Sequence, residues 1–150
     1  MVFCFDLDGV ILKFPFYKQI KIFDFDYFLS QKLMRKSRFW RMVFYRFVRI
    51  NSRVVEYLSS LAIEQNRLVI ISAQYREYQK EMSDFLRKEN IPFDAIYLWD
   101  RRKTVCEFKQ EVINQEGCDF YFDDRLEIID NLVIPGRKIC YQGEEKFLFF

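Results

Sequence analysis

Two aspartates one residue apart, Asp6 and Asp8, close the first apolar run of the chain, and a second acidic pair, Asp123-Asp124, closes a later one. In an extended segment side chains two apart point the same way, so Asp6 and Asp8 share a side while Leu7 packs on the other. Gly9 follows and lets the chain turn sharply at low steric cost. Three of these carboxylates, Asp6, Asp8 and Asp124, suit Mg²⁺, with water and a phosphate oxygen completing an octahedron. A cation there offsets phosphate charge, so a carboxylate can approach phosphorus and carry the phosphoryl group as an acyl phosphate. Ser72 ends another apolar run and can hydrogen-bond the moving phosphoryl oxygens, together with backbone N–H groups. Lys103 precedes a helical pattern and can offset the crowded acids and hold the nucleophile. Lys109, six positions on, is its rival and reads as lying on a solvated helix face.

The chain contains no histidine. Ser-His-Asp and Cys-His mechanisms are therefore excluded, and acid–base work falls to carboxylates, lysine, tyrosine or metal-bound water. Cys4, Cys106, Cys118 and Cys140 form no Cys-x-x-Cys pair. They read as small apolar residues and free thiols rather than zinc ligands.

Elements must bring these residues together. Val2–Phe5, Leu68–Ile71, Ala95–Leu98 and Phe120–Phe122 are short continuous apolar runs, as buried parallel strands require, and Lys138–Tyr141 is a fifth candidate. Between them lie helical patterns over Arg53–Glu64, Tyr75–Glu89 and Lys103–Gln115, the first announced by Asn51-Ser52 and the last closed by Gly117. Strands alternating with helices predict an α/β fold, a three-layer Rossmann-like sandwich with a mainly parallel sheet. Ligands of such sheets bind beyond the carboxyl ends of the strands. The polar residues named above stand at those ends.

Taken in order, these segments resemble the haloacid dehalogenase superfamily of phosphohydrolases. The resemblance rests on Phe5-Asp6-Leu7-Asp8-Gly9-Val10, on Val69-Ile70-Ile71-Ser72, on a lysine best matched by Lys103, and on Phe120-Tyr121-Phe122-Asp123-Asp124-Arg125. It covers nearly the whole chain outside one basic insert. The resemblance implies that Asp6 is the nucleophile and that Asp8 is the acid–base. It implies that Asp124 is a magnesium ligand and that Asp123 supports it or orients Lys103. An acid at the second position matches phosphatases and mutases rather than dehalogenases. The expected activity is phosphomonoester hydrolysis through an aspartyl-phosphate. A phosphomutase, or an idle scaffold used for binding, is the alternative. The Asp-Asp-Arg of the last motif also resembles the 5′-nucleotidase-like branch, which makes a nucleotide or nucleic-acid-end phosphate a candidate substrate. A second Asp-x-Asp, Asp24 and Asp26, lacks the following Gly-Val and reads as a decoy.

The insert, residues 13–50 of a single 150-residue domain, corresponds in this resemblance to a small cap. Residues 13–53 hold eleven basic side chains against two acids, a net +9, so the remainder carries −7 of the overall +2. Ser37–Ile50 has a helical pattern, with Phe39, Trp40, Val43, Phe44, Phe47, Val48 and Ile50 on one face and Arg35, Arg38, Arg41, Arg46 and Arg49 on the other. The apolar face is expected to pack on the sheet domain and the basic face to attract an anionic small-molecule phosphate ester. Contact with nucleic acid or an anionic membrane through residues 32–53 is the competing use. At 51% hydrophobic, with 18 Phe, the chain has the apolar content of a folded core. No apolar stretch is long enough to span a bilayer, and the N-terminus lacks a signal-peptide pattern, so a cytoplasmic protein is expected.

Overall fold

The computed structural model describes residues 1–13 and 48–141 and the strand Phe147–Phe149. Asp24, Asp26 and most of the expected basic helix lie outside the described residues. A six-stranded sheet forms the centre, in the order β5-β4-β1-β6-β7-β8. Its strands are β1 (Val2–Asp6), β4 (Arg67–Tyr75), β5 (Ala95–Trp99), β6 (Phe120–Asp123), β7 (Arg137–Tyr141) and β8 (Phe147–Phe149). The first five run parallel and β8 pairs antiparallel with β7. Among the described residues, four helices accompany the sheet: α1 (Ser52–Ile63), α2 (Gln79–Lys88), α3 (Val105–Glu116) and α4 (Leu126–Asn131).

The period-2 alternation of the strands divides the core in two. Phe3, Phe5, Leu68, Ile70 and Phe122 meet Val54, Leu58 and Leu61 of α1 and Met82 and Leu86 of α2 on one face. Cys4, Val69, Ile71 and Tyr121 meet Phe108, Val112 and Ile113 of α3 and Ile128 of α4 on the other. The result is the three-layer α/β sandwich expected from the run pattern. All four cysteines are free thiols. None of the described helices is long and apolar enough to cross a membrane.

Three boundaries differ from the sequence reading. Strand β4 continues through Tyr75, and a 3-10 turn at Arg76–Tyr78 precedes α2, so the second helix starts at Gln79 rather than Tyr75. Helix α3 starts at Val105, because Thr104 caps it in a reciprocal box with Glu107; Lys103 therefore lies outside the helix. Arg49–Ile50 does not end a helix. It is strand β3, paired antiparallel with β2 (Leu12–Lys13). That pairing satisfies backbone groups at both ends of the insert. Lys13 thus stands opposite Arg49, and Leu12 opposite Ile50.

Candidate active site

Alternation along β1 places Asp6 on the same face as Cys4, toward α3. Alternation along β6 does the same for Asp123, two residues beyond Tyr121. These strands are neighbours, with Phe5 opposite Phe122, so both carboxylates reach the α3 side of one strand-end edge. The cation that meets them comes from the middle of α3. Lys109 Nζ donates to Asp6 Oδ1 at 2.7 Å and to Asp123 Oδ2 at 2.6 Å, with only 3% of its side chain exposed. Burial alone would lower its pKa, but the two carboxylates outweigh burial and push it up, holding the ammonium charged.

The lysine expectation is thereby corrected. Lys103 is exposed and pairs with Glu111 at 2.7 Å. Thr104 caps the helix after it, which leaves its side chain outside the buried face. The sequence did carry a signal for Lys109. At roughly 100° per residue it falls about 40° from Val105 and about 40° from Ile113, inside the apolar stripe of α3.

Asp8 lies apart from this trio. Its half-buried carboxylate accepts from Gln74 Nε2, at 2.9 Å to Oδ1 and 3.2 Å to Oδ2, and from Ser72 Oγ at 3.3 Å. The fully buried Ser72 thus directs its hydroxyl at Asp8. Gln74 is a functional candidate that the sequence reading missed. Among the described residues, Asp6, Asp123 and Asp124 form a side-chain group that could hold a cation, their ligand atoms lying within 4.8 Å of one another. Of the expected trio Asp6, Asp8 and Asp124, the Asp8 carboxylate is turned toward Ser72 and Gln74 of β4.

Gly9 has a steric reason. Its φ is +88°, and a Cβ there would come 2.0 Å from Asp124 Oδ2. The loop after β1 is tightly wound. The Leu7 carbonyl accepts from Ile11 N at 3.1 Å and Leu12 N at 2.8 Å, and the Gly9 N–H donates to the Leu12 carbonyl at 2.8 Å. Leu7, Val10, Ile11 and Leu12 are fully buried. Asn51 braces the loop, donating from its backbone N–H to Ile11 O at 2.9 Å and from Nδ2 to Val10 O at 2.9 Å and Tyr141 Oη at 2.7 Å.

Charge in the pocket is unbalanced. Burial pushes the Asp6 carboxyl well up; Lys109 opposes that, and Asp123 and Asp8 reinforce it. Burial also raises Asp8, against the hydrogen bonds from Gln74 and Ser72. Asp124 is pushed up to about 6 by burial and then by Asp123. Asp123 is fully engaged: Oδ2 takes Lys109 and the Tyr121 hydroxyl at 2.6 Å, and Oδ1 takes the Arg125 N–H at 2.9 Å. The donor set therefore fits a hard divalent cation, held by Asp6 and Asp124, with Asp123 positioning Lys109.

The chain is similar in structure to two solved assemblies. One is a structure of the Pnkp1/Rnl/Hen1 RNA repair complex, with a TM-score of 0.62 and 18% identity over 93% of this chain and 42% of that one. The other is a structure of the Pnkp1/Rnl/Hen1 complex, with a TM-score of 0.57 and 18% identity over 91% of this chain and 45% of that one. This chain thus spans less than half the length of the chains it matches, and the likeness concerns the fold. No protein-family model matches the sequence, and no curated protein matches it either.

Proposed function

We propose that the chain is a magnesium-dependent phosphomonoester hydrolase of the haloacid dehalogenase type, acting through an aspartyl-phosphate. The observation that carries this reading is the buried Lys109 bridging Asp6 and Asp123, with Asp124 beside them and Asp8 held separately. A bare structural salt bridge has no use for a lysine shared by two buried aspartates with a third carboxylate beside them.

Asp6 attacks phosphorus; one of its oxygens bonds to phosphorus as the ester P–O bond breaks. Lys109 fixes Asp6 by Oδ1 and damps repulsion between the carboxylate and the incoming phosphate. Asp8, whose pKa burial raises, gives a proton to the departing oxygen. In the second half, the resulting Asp8 carboxylate takes a proton from water, whose oxygen displaces Asp6 from phosphorus. Inorganic phosphate leaves and Asp6 is restored. Mg²⁺ on Asp6 and Asp124 would offset the phosphate charge that otherwise repels an anionic nucleophile. The structural neighbours, from assemblies one of which is described as an RNA repair complex, support a nucleotide or nucleic-acid-end phosphate as the substrate. The eleven basic residues of segment 13–53 agree with an anionic substrate.

The test is a phosphatase screen with Mg²⁺ across aryl phosphates, nucleotides, sugar phosphates and 5′- or 3′-phosphorylated oligonucleotides. Asp6→Asn is expected to lower turnover by roughly 10³-fold or more, as removal of a nucleophile does. Equal rates for wild type and variant across the whole screen would end the enzymatic reading. Release of inorganic phosphate at a steady rate, rather than transfer to a second hydroxyl, separates hydrolase from mutase.

A further inference from the structure

We propose that Gln74 is a positioning residue that holds Asp8 as proton donor to the departing oxygen, an inference that rests on the phosphatase reading above. Its amide Nε2 donates to both Asp8 oxygens, at 2.9 and 3.2 Å. Ser72 Oγ adds a bond to Oδ2 at 3.3 Å, and the Gln74 backbone N–H donates to that same Oγ at 3.1 Å. Gln74 thus acts twice, directly through its side chain and indirectly by turning the Ser72 hydroxyl. Oδ2 receives two donors and Oδ1 one, so both oxygens of the Asp8 carboxyl are fixed in place.

The backbone of β4 explains how Gln74 gets there. In the pairing with β5, Ser72 lies opposite Leu98 and Tyr75 opposite Trp99, so the register shifts between them. Such a bulge re-aims side chains, here next to the site. The strand runs on past the serine, and its extra length delivers the amide to Asp8. Gln74 is half-buried, with its amide against the Asp8 carboxylate.

The consequence is specific to the leaving group. A poor leaving group must be protonated as its bond breaks, whereas an activated aryl oxide departs without help. General acid catalysis contributes on the order of 10²–10⁴ in rate where it is needed. The quantity to measure is kcat/KM, because it reports steps up to the first irreversible one and is blind to the later hydrolysis of the aspartyl-phosphate. The substrates are p-nitrophenyl phosphate and a simple alkyl phosphate, both with Mg²⁺. Gln74→Met keeps the length and removes both donors. It is expected to lower kcat/KM for the alkyl phosphate roughly 30-fold and for the aryl phosphate by less than about threefold, a fraction of the general-acid contribution. Gln74→Glu keeps size and polarity but replaces donor with acceptor, and should show the same split.

Equal losses on the two substrates, or no loss on either, would overturn the assignment of Gln74 while leaving the phosphatase intact. A rise in KM alone, matched on both substrates, would make Gln74 a substrate contact and overturn it equally. Wild-type protein inert on both substrates, with Mg²⁺ present, would overturn the phosphatase reading and this inference with it.

Discussion

At the amino ends of the strands, Asp119 Oδ2 accepts the Val2 N–H at 2.8 Å and Asp94 Oδ2 accepts the Leu68 N–H at 2.7 Å. Glu116 there is met by Arg67 Nε at 2.8 Å and by the Tyr97 hydroxyl. Each of these acids has a donor of its own, in exposed or half-buried surroundings. At the carboxyl ends, Asp6, Asp123 and Asp124 crowd one buried lysine, with Asp8 close behind. Burial depresses no acid at that end; it raises Asp6, Asp8 and Asp124. At the other end, hydrogen bonds from Arg67, its largest influence, hold Glu116 below its usual range. One end uses acids to fasten the chain. The other stores them in a state that a cation or a proton would relieve. The second arrangement costs stability, as buried charge without full compensation does.

The contrast breaks most visibly at lysine. Lys109→Met removes the one ammonium shared by Asp6 and Asp123. Loss of one partner from a buried pair costs roughly 3–5 kcal/mol, since the remaining charge stays unpaired. Urea unfolding should register that loss, and Mg²⁺-dependent turnover should fall by roughly 10²-fold or more as the nucleophile loses its anchor. Lys103→Met changes only an exposed pair with Glu111 and should leave both the unfolding midpoint and the rate unchanged. A Lys103 variant as damaging as the Lys109 variant would mean that the wrong lysine has been placed in the site.

The amino end should behave in the opposite sense. Asp119→Ala leaves the Val2 N–H without its carboxylate and is expected to cost about 1 kcal/mol, the usual worth of such a bond near solvent. The kcat/KM should not move. A variant that kept full stability but lost turnover would show that the two ends are not separate in function.

The reasons for success and failure in reading the sequence follow the same divide. The apolar runs at Val2–Phe5, Leu68–Ile71 and Phe120–Phe122 announce buried strands because a sheet covered on both faces needs continuous apolar residues. Asp6, Asp8, Gly9, Ser72 and Asp124 then follow from standing just after those strands. A lysine usually stands in solvent, which hides Lys109 in the sequence, although its helical angle points inward with Val112 and Ile113. Lys103 attracted attention by preceding a helix, where Thr104 and Glu107 in fact form the cap. Gln74 was invisible for a different reason. Its place depends on a bulge in β4 against β5, and register is a property of two strands together. The pairing of Leu12–Lys13 with Arg49–Ile50 likewise joins residues that local periodicity cannot relate.

The smallest effect tests the electrostatic half of the comparison. Burial and Asp123 push Asp124 up to about 6, and burial raises Asp6 and Asp8 as well. A raised carboxyl means that the folded state binds more protons than the unfolded one between the ordinary value and the folded value. Stability in that window therefore increases as pH falls. Glu107, lowered chiefly by the Thr104 backbone hydrogen bond, and Glu116 act in the opposite direction, but only as pH falls below their usual 4.5. Metal-free protein should thus melt a few degrees higher at pH 5 than at pH 7.5, the shift expected for roughly 1 kcal/mol in a chain of this size. Saturating Mg²⁺ at pH 7.5 should remove most of that difference, because the cation relieves the same repulsion that protons relieve. Asp124→Asn should also flatten the dependence, by deleting the carboxyl whose titration lies closest to this range. A melting temperature that falls steadily from pH 7.5 to pH 5 without metal would show that Lys109 alone balances the pocket, and that its excess charge holds no vacancy for a cation.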